Sequence, residues 1–457
     1  MNRIHFIRAC WSDIILLESQ GKYALIDTGF SDAFSSRIDP YLKQLGVEKL
    51  EFILITHFHR DHYGSLPALL DHYPVGKVYM KKFSGLNIST SSGREASDEY
   101  NRTEEALCEA MCEQARRLSE LVVIDGSFDR VCLGDFDFRV FGGSDAIREM
   151  YEDPESPYYQ QIRFGENTNS VALFADVKGT TVYLGGDAQN EALDYPRYSN
   201  QNDAYARAVG RPVDLMKVPH HGCGNLFSLE ALSILRPRYG VVTNWTASLY
   251  SQFLKNVRLF KEASPDITLL VTDRCGYRFT LGENGQLSCE EINRIAPISV
   301  EEVSPDEASL EEFWKQHITY LTEDGIISGQ EDIDYFSGEE YRGLIRSHML
   351  REKDRHHLVY FVREGLRIGA ASYCIYQSED GKCFILDYWV FPPFRGEGAG
   401  HHCFTALKEY TKAQGAAYYE LNSEGKDAVR FWRAHGFLEN GQDEWGMPLW
   451  ILRPLAD

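Results

Sequence analysis

Four side chains able to ligate a metal fall within six residues of the run Thr56-His57-Phe58-His59-Arg60-Asp61-His62. Imidazole suits zinc and iron, and a carboxylate adds a hard oxygen ligand. In extended or turning backbone His57 and His59 point the same way, so they can share one ion. Asp61 and His62 lie in the turn that follows, within reach of a second ion. A polar loop holds a single histidine by chance. Three histidines and an aspartate in this order, directly after an apolar stretch, point to a metal centre.

A second run offers different chemistry. Val390-Phe391-Pro392-Pro393-Phe394-Arg395-Gly396-Glu397-Gly398-Ala399-Gly400 reads as a strand end, a glycine-rich loop and a helix start. Glycines let backbone N–H groups approach an anion, and the helix N-terminus adds a favourable dipole. The glycine spacing differs from the G-x-G-x-x-G of dinucleotide-binding folds. Asp387 and Tyr388, on the strand before the loop, are candidates for a base or a substrate contact. His401 and His402 read as solvent-facing or helix-capping.

These side chains need elements to carry them. Leu50 to Ile55 is a continuous apolar strand that delivers the histidine run. Short strands fill residues 1–30, with Cys10-Trp11-Ser12-Asp13 between two apolar runs and Gln20-Gly21 between the next pair. Residues 33–46 and 66–72 read as helices. Residues 103–120 form a longer one, with Leu107, Met111, Ala115 and Leu118 as its apolar stripe. Strand pairs follow at 170–176 and 180–185, joined by Lys178-Gly179, then strands at 214–218, 239–243, 267–272 and 276–281. Beyond about residue 292 prolines and acidic residues mark a linker, 296–309. Ser337 and Glu340 have the spacing of a capping box opening a helix. Strands at 358–363, 367–376 and 383–390 follow, with Glu364-Gly365 as the turn between the first two. A helix, a strand, a helix and a strand pair complete the chain.

The whole is 457 residues, more than one hydrophobic core serves. Domains are expected at 1–295 and 310–457. No apolar run is long enough to cross a bilayer, and the first residues lack a signal pattern, so a cytoplasmic protein is expected. Ten cysteines lie scattered without a C-x-x-C pair, which fits a reducing compartment. Cys108 and Cys112, one helical turn apart, are expected in packing. The net charge is −21, and residues 301–340 hold thirteen acidic residues and one basic residue, Lys315. An acidic surface repels nucleic-acid backbones, and no dense Lys/Arg cluster offsets it. The expected partners are therefore small-molecule substrates rather than nucleic acid or a membrane.

The H-x-H-x-D-H run after an apolar strand resembles the signature of metallo-β-lactamase fold hydrolases. That resemblance implies an αββα sandwich over the first half, with one or two divalent ions, zinc first and manganese or iron as alternatives. By residue, it implies metal ligands at His57, His59, Asp61, His62, Asp187 and one of His220 and His221. Asp27 in Ile26-Asp27-Thr28-Gly29 matches the aspartate that supports a ligand histidine. Asn169-Ser170-Val171-Ala172-Leu173, Gly186-Asp187 and Lys217-Val218-Pro219-His220-His221-Gly222 resemble the hydrolase domain of ComEC-type competence proteins. One departure stands out: where the family has a further histidine, this chain has Glu166-Asn167-Thr168-Asn169-Ser170. Glu166 or an asparagine is then the expected oxygen ligand. Asp61 is expected to orient the hydroxide as well as bind metal.

The loop after Val390 resembles the acyl-CoA pyrophosphate loop of GNAT acyltransferases, a mixed α/β fold, over roughly residues 310–455. The resemblance implies acetyl-CoA as cofactor, held by Arg395, Gly396, Gly398, Ala399 and Gly400, with Val390 offering backbone hydrogen bonds and Asn422 in a second cofactor segment. The family often has a tyrosine at the position of Trp432, where it protonates the leaving thiolate, and an indole cannot do that. The fold class expected is therefore α/β with α+β. The function expected is a bifunctional enzyme, a metal-dependent hydrolase of a small phosphodiester or other ester fused to an N-acetyltransferase. Two alternatives are a hydrolase regulated by a non-catalytic acyl-CoA-binding domain, and a ComEC-like nuclease.

Overall fold

The computed structural model describes all residues except 84–93, 144–153, 156–165, 191–200, 396–397 and 454–457. It divides into two units, Met1–Ile295 and Ala296–Asp457.

The first unit has two mixed sheets. One runs through β1 (Asn2–Phe6), β2 (Ile14–Ser19), β3 (Lys22–Thr28), β4 (Leu50–Ile55), β5 (Val75–Lys81) and β6 (Glu120–Ile124). The other contains β7 (Arg130–Leu133), β8 (Phe136–Phe141), β9 (Ala172–Val177), β10 (Thr180–Leu184), β11 (Leu215–Lys217), β12 (Tyr239–Val242) and β13 (Thr268–Val271). Strands β14 (Gly276–Leu281) and β15 (Leu287–Ile292) return to the first sheet, beside β1.

Alternation along the strands builds the layers. Ile15, Leu17, Phe52 and Leu54 face Phe136, Phe138, Leu173 and Val182 in a core between the sheets. Their neighbours Leu16, Ile53 and Ile55 face outward onto Leu42, Leu66 and Leu69. On the other side Phe174, Tyr183 and Met216 pack on Ala206, Leu232 and Phe260. Strands covered on both faces must be apolar, which explains the runs Ile14–Leu17 in β2 and Phe52–Ile55 in β4. Each fully buried Leu or Phe contributes roughly 1.5–3 kcal/mol. Helices outside two sheets give the αββα order.

Three hairpin turns read correctly from sequence. Gln20-Gly21, Lys178-Gly179 and Glu364-Gly365 all have positive φ at both central residues, the geometry that suits a two-residue turn.

Other readings need correction. The long helix spans Arg94–Leu118, and of the expected stripe Ala115 is buried and Met111 packs on the core, with Glu104 and Cys108 completing the buried side. Leu107 and Leu118 are exposed. The helix crosses over between parallel strands β5 and β6. Among the described residues no helix is long and apolar enough to cross a membrane.

The second unit is a seven-stranded sheet, β16 (Ser299–Glu302), β17 (His356–Arg363), β18 (Leu366–Tyr376), β19 (Lys382–Val390), β20 (Tyr418–Asn422), β22 (Pro448–Leu452) and β21 (Leu438–Gln442) in spatial order. Residues 296–309, expected as a linker, hold β16, which pairs with β17, and the start of the helix Glu307–Glu323. The helix Glu339–Met349 begins after Gly338, and Ser337 closes the preceding helix with its hydroxyl on Ile333 O. The capping box is therefore absent, because the serine belongs to the turn before.

Strands β19 and β20 are parallel, and their ladder ends at Ile385 and Leu421. Between β18 and β19 the register shifts, from Ser372 opposite Asp387 to Tyr373 opposite Ile385. Leu386 is the extra residue, 44% exposed. The bulge changes which side chains face which layer. Ile385 and Tyr388 face the helices Ala399–Ala413 and Lys426–Ala434, whereas Asp387 and Trp389 face the helix Glu307–Glu323.

Candidate functional site

The histidine run leaves β4 into a short helical turn, Arg60–Tyr63. Asp27, at the end of the neighbouring β3, fixes its entry. One carboxylate oxygen accepts from Thr56 N at 2.8 Å, and the other accepts from Thr56 Oγ1 and faces His62 Nδ1, each at 2.8 Å. This aspartate orients the His62 ring so that Nε2 points into the site.

Asp61, His62, Asp187 and His221 offer ligand atoms that all lie within 4.8 Å of one another. Asp187 Oδ2 is 3.2 Å from His62 Nε2 and 3.2 Å from His221 Nε2. Asp61 Oδ2 is 3.2 Å from His221 Nε2. His57 and His59 stand beside the group, their Nε2 and Nδ1 atoms 3.0 Å apart. His57 Nε2 is 3.8 Å from Asp187 Oδ2. Asp187 follows β10 in a tight turn, where Gly186 has φ +50° and a Cβ would meet Ser170 Oγ at 2.5 Å.

Of the two adjacent histidines, His221 joins the cluster. His220 Nε2 lies 2.9 Å from Asn167 Nδ2 instead. Both occupy the left-handed region, an arrangement held by the surrounding loop. Glu166, expected as a replacement ligand, is corrected. It forms a buried ion pair with Lys81 at 2.6 Å and accepts from Phe58 N. A buried lysine draws the carboxylate away from the site. Asn167 keeps a buried Oδ1 with no hydrogen-bond partner.

Beneath the ligands lies a pair that the motif reading passed over. Lys217, fully buried, contacts Asp13 and also Gly186 O at 2.7 Å and Asp187 Oδ1 at 3.3 Å. Asp13 Oδ1 accepts from Thr243 Oγ1 at 2.6 Å, and Thr243 Oγ1 is 2.8 Å from His221 Nδ1. The signal available in sequence was an aspartate and a lysine inside apolar runs.

Electrostatics follow from this crowding. Burial works to raise the Asp187 carboxyl, but His221, His62 and Lys217 override it and hold it well below the usual range. Burial works to lower His221, but Asp187 and Asp13 raise it to about 9. His57 is pushed well below its ordinary value by burial and by the neighbouring histidines. Burial lowers His220 to about 4. A cluster of carboxylates and imidazoles, with His62 Nε2 buried among carboxylate oxygens and making no hydrogen bond, suits a divalent cation.

In the second unit Asp387 Oδ2 lies 3.1 Å from Nε2 of His317, a residue not singled out from sequence. Tyr388 is corrected as a substrate contact. The Leu386 bulge turns it into the core, where its hydroxyl donates to Gly400 O at 2.5 Å. The carbonyl of Val390 accepts from Arg395 Nε at 2.7 Å, and Arg395 pairs bidentately with Asp324 at 2.9 and 2.7 Å. Gly398, at φ +78°, precedes the helix that Ala399 and Gly400 begin. Gly396 lies outside the described residues. Asn422 donates to Asp443 Oδ2 at 3.0 Å. Trp432 is buried among Tyr388, Phe404 and Phe437. His401 and His402 are not solvent-facing: His401 packs against Phe431 with its Nδ1 2.9 Å from His435 Nε2, and His402 is buried.

Known proteins match both units. Residues 8–117 match the metallo-beta-lactamase superfamily, and residues 318–437 match the acetyltransferase (GNAT) family. The chain thus joins a metallo-β-lactamase domain to a GNAT domain, each from a family of enzymes. ComE operon protein 3 of Bacillus subtilis is 22% identical over 292 residues, 60% of this chain and 31% of that protein. Endoribonuclease YSH1 of Candida albicans is 34% identical over 67 residues, 14% of this chain and 8% of that protein. The chain spans under a third of the length of either relative. Among solved structures, the metallo-beta-lactamase fold protein YhfI of Bacillus subtilis is 11% identical with a TM-score of 0.35, covering 64% of this chain and 100% of that one.

Proposed function

We propose that the first unit hydrolyses a phosphodiester of a small molecule and that the second transfers an acetyl group from acetyl-CoA to an amine. The observation that carries the first part is the convergence of Asp61, His62, Asp187 and His221. His57 and His59 stand beside that group and extend the ligand set. When bound, a divalent ion lowers the pKa of a water and polarises the oxygen under attack. The chain's own residues prepare that chemistry. Lys217 holds one oxygen of Asp187 and leaves the other facing the histidines. Asp27 locks the tautomer of His62. Asp61, at the rim, orients the attacking water. A phosphodiester is favoured because the relatives include a protein named as an endoribonuclease. The acidic composition favours a small substrate over a long nucleic acid.

The test is metal analysis of the purified chain together with hydrolysis of bis(p-nitrophenyl) phosphate, for wild type and Asp61→Ala. Bound metal with turnover lost in the variant supports the proposal. Metal without turnover on this ester refutes the phosphodiester reading.

A second reading makes the GNAT unit a regulatory acyl-CoA binder. Trp432 in the core, and the Tyr388 hydroxyl committed to Gly400 O, leave neither as the acid for a leaving thiolate. Consumption of acetyl-CoA with an amine separates transfer from binding alone.

A further inference from the structure

On its face of the second unit Asp387 lies against an aromatic layer in which Phe313, Trp314 and Trp389 are buried and Tyr320 and Tyr341 stay partly exposed. Phe313, Trp314, Tyr341 and Trp389 have centroids 5.7–6.2 Å from that of His317. Tyr320 stacks on Trp389 at 4.7 Å and 6°. His317 is only 2% exposed, while the Asp387 side chain keeps 16% of its surface. Asp387 thus meets solvent, and His317 meets Asp387. Among the described residues no lysine or arginine forms an ion pair with Asp387. Arg395, whose field reaches Tyr320, is held by Asp324. The bulge at Leu386 places this carboxylate just past the point where the β19–β20 ladder ends.

An anion set in an aromatic surround favours a cation with an apolar body and disfavours a second anion. We propose that this face is the acceptor pocket, that it takes an arylalkylamine lacking an acid group, that Asp387 is the catalytic residue contacting its ammonium, and that His317 is the positioning residue for Asp387. The proposal rests on the acetyl-transfer reading of the second unit. The ammonium gives one proton to Asp387. The amine nitrogen then forms a bond to the thioester carbonyl carbon, and the carbon–sulfur bond breaks. The thiolate takes the second amine proton and leaves as the free thiol, and Asp387 returns its proton to solvent.

The experiment uses the full chain with acetyl-CoA and follows thiol release with tyramine, and with tyrosine as the acidic counterpart. The expected result is a kcat/KM at least about 100-fold higher for tyramine, since a buried anion pair is strongly disfavoured. Asp387→Asn is expected to lower kcat about 100-fold, within the range of general-base contributions. His317→Leu is expected to lower kcat about 10-fold without changing KM for acetyl-CoA, and His317→Gln to restore most of it, because the amide still donates to Asp387. Calorimetric titration with acetyl-CoA runs in parallel. If acetyl-CoA binds but tyramine is not acetylated, or tyrosine is used equally, the pocket assignment is overturned. Unchanged turnover in Asp387→Asn overturns the role of the carboxylate. If acetyl-CoA does not bind, the transfer reading itself fails, and the pocket assignment with it.

Discussion

The histidines set among carboxylates in the first unit and those buried without them in the second are shifted in opposite directions. In the first unit His62 and His221 sit among Asp13, Asp27, Asp61 and Asp187, and those carboxylates outweigh burial and raise both. In the second unit burial alone dominates: His356 falls to about 4, His401 to about 3, and His435 well below its ordinary value. The same side chain is thus a partner of anions in one place and a neutral core group in the other. What differs is the number of carboxylates within reach. The first arrangement accepts cations, whereas the second surrounds His356, His401 and His435 with apolar packing.

The largest test of this contrast is Asp187→Asn. It is expected to lower bound metal by at least one equivalent per chain and hydrolysis by about 10³-fold, by elemental analysis and initial rates. Acetyl-CoA binding should not change. Next is Lys217→Met, which strands Asp13 and Asp187 and is expected to cost about 3–5 kcal/mol in the first unit, read from denaturant midpoints. The double variant Asp13→Asn, Lys217→Met should recover much of that loss.

A smaller effect is acid sensitivity of the second unit. His356 has a folded pKa of about 4, below its ordinary 6.5. The unfolded chain therefore binds more protons between these values, and stability falls as pH drops from about 6.5 to about 4. For His356 the full loss is on the order of 3 kcal/mol. Hydrogen exchange at pH 7.5 and pH 5 should show protection falling in β17 and β18. The smallest effect is expected at the Arg395–Asp324 pair. Asp324→Ala should change stability by less than about 1 kcal/mol in a thermal melt, because the pair is partly exposed.

Much of the candidate metal site was legible because the residues that form it cluster in short motifs. His57 to His62 share one turn, and Asp187 and His221 end strands that read plainly as apolar. Asp13 was not legible, because its partner Lys217 lies far along the chain and only the sandwich joins them. Glu166 was misread for the same reason, since Lys81 reaches it from another strand. Local rules failed where one residue of offset matters. The Arg94–Leu118 helix buries Cys108 rather than Leu107, and Ser337 ends one helix instead of opening the next. The face of Tyr388 depends on a bulge that no alternation pattern reveals.

That bulge acts as a phase slip in a two-state alternation. Were Leu386 paired in regular alternation instead, every side chain from Asp387 to Val390 would lie on the other side relative to Ile385. Asp387 would enter the layer of Phe404 and Trp432, and Tyr388 would take its place beside His317. One residue left out of the ladder therefore decides which chemistry this strand presents to each side.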